Sequence, residues 1–395
     1  MLNKISYLSL CCIAVMAGNG YVQAEPASQT RDIQLGEGIE LYPQATVELG
    51  HDDNLLLSDG NEMSSGFATL AASGKIVARK SQNATYHLQS GLKNGTYFDS
   101  ADDNYLDGQL QAGGDWTVSR RVGLKVQAEY DRGHDARGGV DRGLGTEPDT
   151  WNNTGVKGTF RYGREEARGR IEVDAAYHTK RYDQFSLTEK TEDKNTAEIG
   201  AAFFHRLQPK TEVFVEGRYA NTDFRLDTST RDNQAYHLRG GVIWNATAKT
   251  TGIAKLGYTS KKFDAAGMED FSGLDWRLEA RWQPVERDRF DVYTARHADD
   301  STGLGNYNLA TDYGVSWNHD WTPRIHSSLK TMYSDLEYGG YQRDDKSWNY
   351  SLGLEYAYAQ WLKFGGEASF SKRDSSVIAK DYDRSILFMY AKIEY

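Results

Sequence analysis

From residue 41 to the C-terminus, apolar and polar residues alternate along the chain with a period of two. In 348–358 every even position is Trp, Tyr or Leu, and the odd positions are Asn, Ser, Gly, Glu and Ala. The same alternation runs through 274–282 and 122–130. A period of two places successive side chains on opposite faces of a β-sheet, and no long segment has the three- and four-residue spacing of a helix. The pattern therefore predicts strands throughout.

The segments between these strands fall into two classes that alternate along the chain. Short turns occur at 81–83, 119–121, 163–166, 208–210, 284–286 and 322–324. Longer connections rich in Asp and Gly occur at 53–63, 99–103, 132–150, 182–193, 227–233, 264–272, 299–305, 339–345 and 375–382. This spacing predicts about eighteen strands joined as successive hairpins.

Short turns at one end and long loops at the other are typical of bacterial outer-membrane barrels. A closed barrel is also the only sheet that can cross lipid, because it leaves no unpaired edge. We therefore predict an all-β fold: a single antiparallel up-and-down transmembrane β-barrel of about 18 strands, with 16–18 plausible. The predicted location is the Gram-negative outer membrane, with both termini in the periplasm.

Average composition alone would suggest a soluble acidic protein. The 395 residues are 39% hydrophobic and 26% charged, and the mean hydropathy is −0.68. In a barrel only alternate residues contact lipid, so the alternation explains the low average. The 25 Tyr, 14 Phe and 9 Trp argue against disorder. The net charge of −10 argues against a nucleic-acid partner.

The first 24 residues have the features of a secretory signal peptide. Lys4 precedes an apolar core, and Ala24 ends a small-residue exit. We predict three regions: signal peptide 1–24, periplasmic N-terminal segment 25–40 and barrel 41–395. Both cysteines, Cys11 and Cys12, lie in the first region, so the mature chain would contain no cysteine.

The C-terminus and the tryptophans agree with this fold. Ile393 and Tyr395 end an alternating apolar row, which resembles the signal that the outer-membrane barrel assembly machinery recognises. Indole favours the membrane interface, so the tryptophans predict two girdles. The turn-end group is Trp116, Trp244, Trp282, Trp317, Trp321 and Trp361, and the loop-end group is Trp151, Trp276 and Trp348.

The parity that carries charges predicts the lumen, because a charge facing lipid at mid-bilayer costs about 2–4 kcal/mol. Both signs occur in similar number, which suits a hydrophilic solute, and Phe214 and Tyr293 could stack on sugars. The alternative is that these charges only solvate the wall and pair across strands. The candidates are Lys93, Asp107, Lys125, Glu129, Lys157, Arg161, Arg170, Glu172, Asp174, Glu216, Arg218, Arg239, Asp275, Arg277, Glu279, Arg281, Asp312, Glu355, Lys363 and Glu367.

Candidate chemistry is sparse, and we predict neither an enzyme nor a cofactor or metal site. His326 and Ser328 share a strand face, but the sequence implies no third group for a triad. The nine histidines have no metal-ligand spacing. The Gly-rich run 138–145 lies in the longest predicted loop. The clusters Asp52-Asp53-Asn54 and Asp102-Asp103 could bind calcium weakly or bridge through divalent ions to lipopolysaccharide.

The start of the predicted barrel carries a more specific motif. Leu41-Tyr42-Pro43 is followed by the run 47–54, Val-Glu-Leu-Gly-His-Asp-Asp-Asn. A proline near the start of the first strand and a Gly-aromatic-Asp-Asp-Asn turn resemble the putative beta-barrel porin 2 family, although His51 stands where an aromatic residue is more usual. The matching positions are Pro43, Gly50, Asp52, Asp53 and Asn54.

This resemblance implies an outer-membrane barrel that works with an exopolysaccharide or capsule export system. A polysaccharide would be the transported ligand, and periplasmic or inner-membrane export proteins would be partners that supply direction. No catalytic residues carry over. The competing functions are a diffusion porin for small hydrophilic solutes, an outer-membrane enzyme, and a structural or adhesion barrel plugged by its loops.

Overall fold

The computed structural model describes residues 32–139, 145–183, 191–247, 249–301 and 303–395, so the predicted signal peptide lies outside the described residues. Among these residues two short 3-10 helices, Ala101–Asp103 and Ile378–Lys380, accompany the strands. Within the described residues no helix is long and apolar enough to cross a membrane. The strands are β1 Ile33–Gly36, β2 Ile39–Asp52, β3 Ser65–Ser81, β4 Ala84–Tyr97, β5 Tyr105–Thr117, β6 Val122–Asp135, β7 Asp149–Tyr162, β8 Gly169–Tyr182, β9 Lys194–Gln208, β10 Thr211–Phe224, β11 Asn233–Thr247, β12 Thr250–Phe263, β13 Phe271–Val285, β14 Asp288–Asp300, β15 Tyr307–Thr322, β16 Ile325–Gly339, β17 Asp344–Ala359, β18 Leu362–Ser375 and β19 Tyr382–Glu394.

Strands β2 to β19 form one closed antiparallel barrel. Each strand pairs with its neighbours in sequence, and β19 pairs with β2 to close the ring. The predicted barrel of about 18 strands is therefore confirmed. Because the ring has no free edge, the backbone groups within the wall can all find partners in the ladder.

The connections alternate as the sequence predicts. The short connections lie at one end, and their described residues are 82–83, 118–121, 163–168, 209–210, 249, 286–287, 323–324 and 360–361. The longer connections lie at the other end, and their described residues are 53–64, 98–104, 136–139, 145–148, 183, 191–193, 225–232, 264–270, 301, 303–306, 340–343 and 376–381. We call these two ends the turn rim and the loop mouth.

The outer face is made of the apolar rows. On β17 the row from Trp348 to Tyr358 is exposed at every second position, and Leu352 at its centre has 60% of its surface exposed. Equivalent exposed rows run along the other strands, for example Leu238, Leu256, Leu387 and Met389. A large apolar surface of this kind requires lipid to cover it.

One tryptophan contradicts the predicted girdles. The six turn-end tryptophans occupy outward positions near the turns, and Trp276 and Trp348 occupy outward positions nearer the loops. Trp151 instead lies on the inward parity of β7, is only 5% exposed, and donates its indole N–H to Asp135 at 2.9 Å. It belongs to the interior because its parity on β7 matches that of Lys157, not that of the exposed Val156.

The family-like motif at the end of β2 fastens the barrel seam. Asp52 is 1% exposed and accepts a two-pronged hydrogen bond from the guanidinium of Arg384 on β19. Asp53 accepts the backbone N–H of Ser385 at 2.7 Å. The Asn54 amide donates to the carbonyl oxygens of Asp383 and Ser58 at 2.8 and 2.9 Å. Three successive side chains thus tie the first barrel strand to the last.

The other two motif positions fit the same seam. At Gly50 a Cβ would lie 2.6 Å from the carbonyl oxygen of Leu387 and 2.5 Å from the ring of Phe67, so no larger residue fits without displacing the backbone. Pro43 accepts the backbone N–H of Tyr395 at 3.2 Å. The seam ladder ends here, so the N–H that proline lacks is not needed to continue it.

The short strand β1 continues the line of β19. It pairs with β2 through Ile33–Leu41 and Gln34–Glu40, beyond the point where β19 ends. Residues 33–36 lie within the segment predicted as periplasmic, and β2 begins at Ile39, two residues before the predicted barrel start. Ile393 and Tyr395 lie on the outward parity and are about half exposed; their part in assembly remains a prediction.

A charge introduced on the outer row should destabilise the barrel much more than the same charge on the inner row. We expect Leu352→Arg to lower the free energy of unfolding by about 2–4 kcal/mol, because its guanidinium would face mid-bilayer lipid. The matched control Asn349→Arg, on the inward row of β17, should cost less than about 1 kcal/mol. Urea titration of the barrel folded in lipid vesicles measures both, and equal losses would contradict this orientation.

The Asp52–Arg384 ion pair at the seam should contribute far more to the free energy of unfolding than an exposed ion pair. Arg384→Ala leaves the buried Asp52 without its partner, which should cost about 3–5 kcal/mol. Lys372→Ala, which removes a partner of the exposed Asp374, should leave the free energy of unfolding almost unchanged. The double variant Asp52→Asn/Arg384→Ala should recover part of the loss. Similar losses of unfolding free energy in Arg384→Ala and Lys372→Ala would show that the Asp52–Arg384 pair does not stabilise the seam.

Candidate functional site

The inner face of the barrel is identified by contacts between strands that are not neighbours in the wall. Arg218 on β10 donates to Asp174 on β8 at 2.9 Å, and Lys194 on β9 binds Asp300 on β14. The second contact joins strands five places apart in the ring, so it can form only across the inside of the barrel. All twenty predicted lumen positions lie on the strand face opposite the exposed apolar rows.

Ion pairs connect most of these positions in small networks. Arg218 lies between Asp174 and Glu198, at 2.9 and 3.1 Å, and Lys157 lies 3.8 Å from the same Asp174. Arg170, 2% exposed, binds Glu172 and Glu212. In the next network Arg239 lies 2.7 Å from Asp275 and 3.6 Å from Glu216, which also binds Lys255 at 3.2 Å.

The remaining candidates are paired in the same local manner. Lys125 alone among the twenty has no hydrogen-bond or ion-pair partner within the described residues. Mutual pairing across strands is therefore what the geometry supports, and it leaves the wall polar with little net charge. The other contacts are Lys93–Glu48, Asp107–His134, Glu129–His178, Arg161–Glu165, Arg277–Glu279, Arg281–Asp291, Asp312–Ser334, Lys363–Glu355 and Glu367–Ser351.

The two halves of the inner wall differ in chemistry. Eight inward arginines lie on β7 to β14: Arg161, Arg170, Arg206, Arg218, Arg239, Arg277, Arg281 and Arg289. The other half, from β15 round to β5, carries many small or neutral hydrogen-bonding groups at mid-strand, including Gln44, Thr46, Ser73, Gln89, Gln109, Gln111, Ser316, Ser328, Ser351 and Ser369. The second half also carries the paired charges Lys93, Asp107, Asp312, Glu355, Lys363 and Glu367, so a polyhydroxyl solute would meet charged and neutral partners there and mainly charged ones on β7 to β14.

At the loop mouth the β14–β15 hairpin bends into the barrel. The β13–β14 ladder stops at Trp276–Arg296, so the last residues of β14 pair only with β15. Tyr307 and Leu309, on the outward row of β15, pack instead against Phe271 on the inward row of β13. The rings of Phe271 and Tyr307 are 5.3 Å apart. An outward row that contacts an inward row places the hairpin end inside the wall.

Asp300 holds this hairpin end in place. Its carboxylate binds the ammonium groups of Lys194 on β9 and Lys261 on β12. It also accepts a hydrogen bond from the Asn233 amide on β11 at 3.1 Å. Lys261 is 4% exposed, so the cluster is a buried one that spans from β9 to β14 across the mouth.

The β6–β7 hairpin bends inward in the same way. Its ladder with β5 stops at Gly108–Arg132. His134, on the outward parity of β6, stacks on the inward-facing Tyr105 with ring centres 4.1 Å apart and lies 2.9 Å from the carboxylate of Asp107. The two bent hairpins are eight strands apart in a ring of eighteen, so they narrow the mouth from nearly opposite sides.

Loops from the seam side pack onto the β6–β7 hairpin. Arg137 donates to Ser100 and to the Asp103 carboxylate, and the hydrogen bond to Asp103 raises the pKa of Arg137. Gly138 has a positive φ of 74°, and a Cβ there would lie 1.9 Å from the carbonyl oxygen of Leu56, so only glycine fits. Leu57, which follows Leu56 in loop 53–64, is 4% exposed. The loop 53–64 is therefore folded into the mouth.

These inward elements were not predicted from the sequence. The available signal was a break in parity: Asp300 continues the row of Phe290 and Val292, and His134 continues the row of Tyr130. A charged or polar side chain on a lipid-facing row indicates that the strand end has left the wall. The prediction instead assigned 299–305 and 132–150 to loops.

The two ends of the barrel carry opposite charge. The turn rim contains eight Lys or Arg and three Glu: Arg120, Arg121, Arg164, Arg168, Lys210, Lys249, Arg287 and Arg324, against Glu165, Glu166 and Glu286. The described residues of the loops contain sixteen Asp or Glu and five Lys or Arg: Asp53, Asp59, Glu62, Asp99, Asp102, Asp103, Glu147, Asp183, Glu192, Asp193, Asp227, Asp232, Asp264, Glu269, Asp270 and Asp381, against Arg137, Arg225, Arg231, Arg343 and Lys380.

The one candidate for nucleophilic chemistry lies near the turn rim. His326 contacts Asp320 through Nδ1 at 2.5 Å, and Glu355 is its cross-strand neighbour on β17. Among the described residues no hydrogen bond joins His326 to Ser328. The described residues also contain no group of three His, Cys, Asp or Glu arranged to hold a metal ion.

Comparisons with known proteins point to one family and one fold. The sequence model of the family described as "Putative beta-barrel porin 2" matches residues 33–395. A BenF-like porin from Pseudomonas fluorescens Pf-5 has 10% identity and a TM-score of 0.52, with 91% of this chain and 99% of that chain covered. Pseudomonas aeruginosa OccK2 (OpdF) in complex with glucuronate has 11% identity and a TM-score of 0.51, with 91% and 98% covered. None of the curated sequences compared with the chain matches it.

Removing the Asp300 carboxylate should release the β14–β15 hairpin from the mouth. In Asp300→Ala two lysines lose the carboxylate between them, and breaking a buried pair costs about 3–5 kcal/mol. Since 1.4 kcal/mol is tenfold in an equilibrium constant, the released population should rise by about a hundredfold or more.

Single-channel conductance in planar bilayers measures this release, and we expect it to be higher in Asp300→Ala than in the wild type. The matched control is Asp299→Ala, which removes the same charge from an exposed neighbouring position. Equal conductance for the two variants would mean that Asp300 does not hold the constriction.

Proposed function

The chain belongs to the putative beta-barrel porin 2 family, and from that premise we propose that this outer-membrane, porin-like channel conducts a secreted polysaccharide out of the cell. The observation that carries the proposal is the continuous polar inner face of a closed barrel, lined by locally paired charges. The barrel would act as a passive conduit, with direction supplied by polymer synthesis and by an export apparatus in the periplasm or inner membrane.

The chemistry of the lumen supports a carbohydrate better than an apolar solute. Hydroxyl-rich polymers need many weak hydrogen-bond partners, and the wall supplies Ser, Thr and Gln groups opposite paired Arg and carboxylate groups. Because the charges are already paired with each other, they can hydrogen-bond a passing sugar without holding it tightly. This balance suits transit, for which a solute must bind weakly enough to leave.

We place the turn rim in the periplasm and the loop mouth outside, as in other barrels of this class. In this orientation β1 lies on the periplasmic side, next to the entrance that export proteins would have to reach. The outer loops would face lipopolysaccharide, and the folded loop 53–64 and the two bent hairpins would form the exit.

Diffusion of small hydrophilic solutes is the second candidate. It is favoured by the likeness of fold to a BenF-like porin and to OccK2, the latter in complex with glucuronate. It also agrees with a mouth narrowed from two sides, because a narrow mouth suits a small solute. The two functions share the architecture and differ in the size of what passes.

Blocking the lumen chemically should stop polymer release if the barrel is the conduit. Ser351→Cys places a thiol on the inward row of β17, and a bulky maleimide added to cells should fill the lumen there. Total carbohydrate released per cell should then fall to the level of a deletion strain. The matched control is Thr228→Cys, an exposed position in loop 225–232, which is not part of the constriction described above.

Two results would overturn export. One is normal polymer release in the deletion strain together with swelling of barrel-containing liposomes in small sugars, which would favour the diffusion porin. The other is loss of release in an alanine scan of His326, Ser328 and Glu355 with conductance unchanged, which would favour an enzyme of the outer membrane.

A further inference from the structure

The opposite charges of the turn rim and the loop mouth give the channel a polarity along its axis. The rim has a surplus of five positive charges and the described loop residues a surplus of eleven negative charges, counted over the residues named above. Between the two ends the inner wall carries little net charge, because most of its arginines and lysines are paired with carboxylates. The asymmetry therefore acts at the entrance and the exit and not in the lumen.

We infer that the transported polymer is anionic, a polysaccharide bearing carboxylate or similar acidic groups, captured at the turn rim and released at the loop mouth. This rests on the proposed function, including the orientation with the turn rim in the periplasm. It adds the chemical class of the substrate and a reason for outward bias.

The rim cations are free to act on a solute. Arg120, Arg121, Arg168, Lys210 and Arg324 are exposed, and within the described residues their side chains form no ion pair. Turns 118–121 and 163–168 lie side by side, because the Arg164 guanidinium donates to the carbonyl oxygen of Arg120 at 3.1 Å. They concentrate four arginines at one sector of the rim. Exposed, unpaired guanidinium groups attract carboxylates and can bind them with two parallel hydrogen bonds.

The loop mouth has the opposite effect on the same polymer. Its surplus of carboxylates repels an acidic chain once the chain has passed the constriction, and it also discourages acidic solutes from entering from outside. The interaction reaches about one Debye length, which is about 8 Å at physiological ionic strength and about 3 Å at 1 M salt. Charge steering of this kind changes association rates by about 10- to 1,000-fold and disappears at high salt.

The test uses purified full barrel in planar bilayers with a galacturonic acid oligomer as the probe. Biotin attached to Asn61→Cys, blocked by streptavidin added to one chamber, identifies the side that carries the loops. At 0.1 M salt we expect the probe to block current about tenfold or more faster from the turn side than from the loop side. At 1 M salt the ratio should fall below about twofold. A neutral maltose oligomer should block the current equally fast from the two sides.

Rim variants test whether charge is the cause. Reversal in Arg120→Glu/Arg121→Glu/Arg168→Glu should abolish the preference, whereas Arg120→Lys/Arg121→Lys/Arg168→Lys, which keeps the charge, should retain it. Equal block from both sides in the wild type, or equal preference for the neutral oligomer, would overturn the inference. So would faster block from the turn side by a cationic oligomer.

Failure of the acidic-polymer inference can be distinguished from failure of polymer export. Normal polymer release in the deletion strain, with the blocking asymmetry intact, would overturn polymer export but leave a channel that favours anions from the turn side. Loss of release in that strain, with no asymmetry in the bilayer, would keep export and overturn the acidic polymer.

Discussion

A strand that crosses lipid must give each backbone N–H and C=O a partner, because no water is present to replace one. In this chain that constraint is met by a ring of eighteen strands, and the other features follow from it. Closure gives every strand one face toward lipid and one toward the lumen. The lipid face then has to be apolar and the lumen face can be polar, which is why a chain with a negative mean hydropathy can reside in a membrane.

Most of the wall could be predicted from the sequence because parity is a local property. The strand number, the alternation of turns and loops, and the face occupied by residues such as Lys157 or Arg239 need only the pattern of neighbours. Residues whose environment depends on distant strands could not be predicted. Asp300 resembled a loop carboxylate, because its position depends on the pairing of the strand ends. Trp151 is a different case, since its parity on β7 matches that of Lys157 and assigns it to the interior from the sequence alone.

Ladder ends explain why the positions of Asp300 and His134 were not predicted. At Trp276–Arg296 and Gly108–Arg132 the pairing stops before the strands do, and a released strand end no longer has a lipid side. Its outward row can then pack on the inner wall, as Tyr307 does on Phe271. The same event that makes the sequence pattern misleading also builds the constriction at the mouth. The paired charges in the lumen keep the path through the barrel polar. The unpaired charges at the turn rim make that end of the path different from the loop mouth.

The seam has a further consequence in terms of topology. Asp52 and Arg384 are 332 positions apart in sequence, and closing a flexible loop of that length costs about 5 kcal/mol beyond a fixed constant. That entropic cost arises in a single step, the pairing of the last strand with the first. The acidic motif supplies side-chain hydrogen bonds from three residues at the same place. The barrel has one place where its first and last strands meet, and the most specific motif of the sequence lies there.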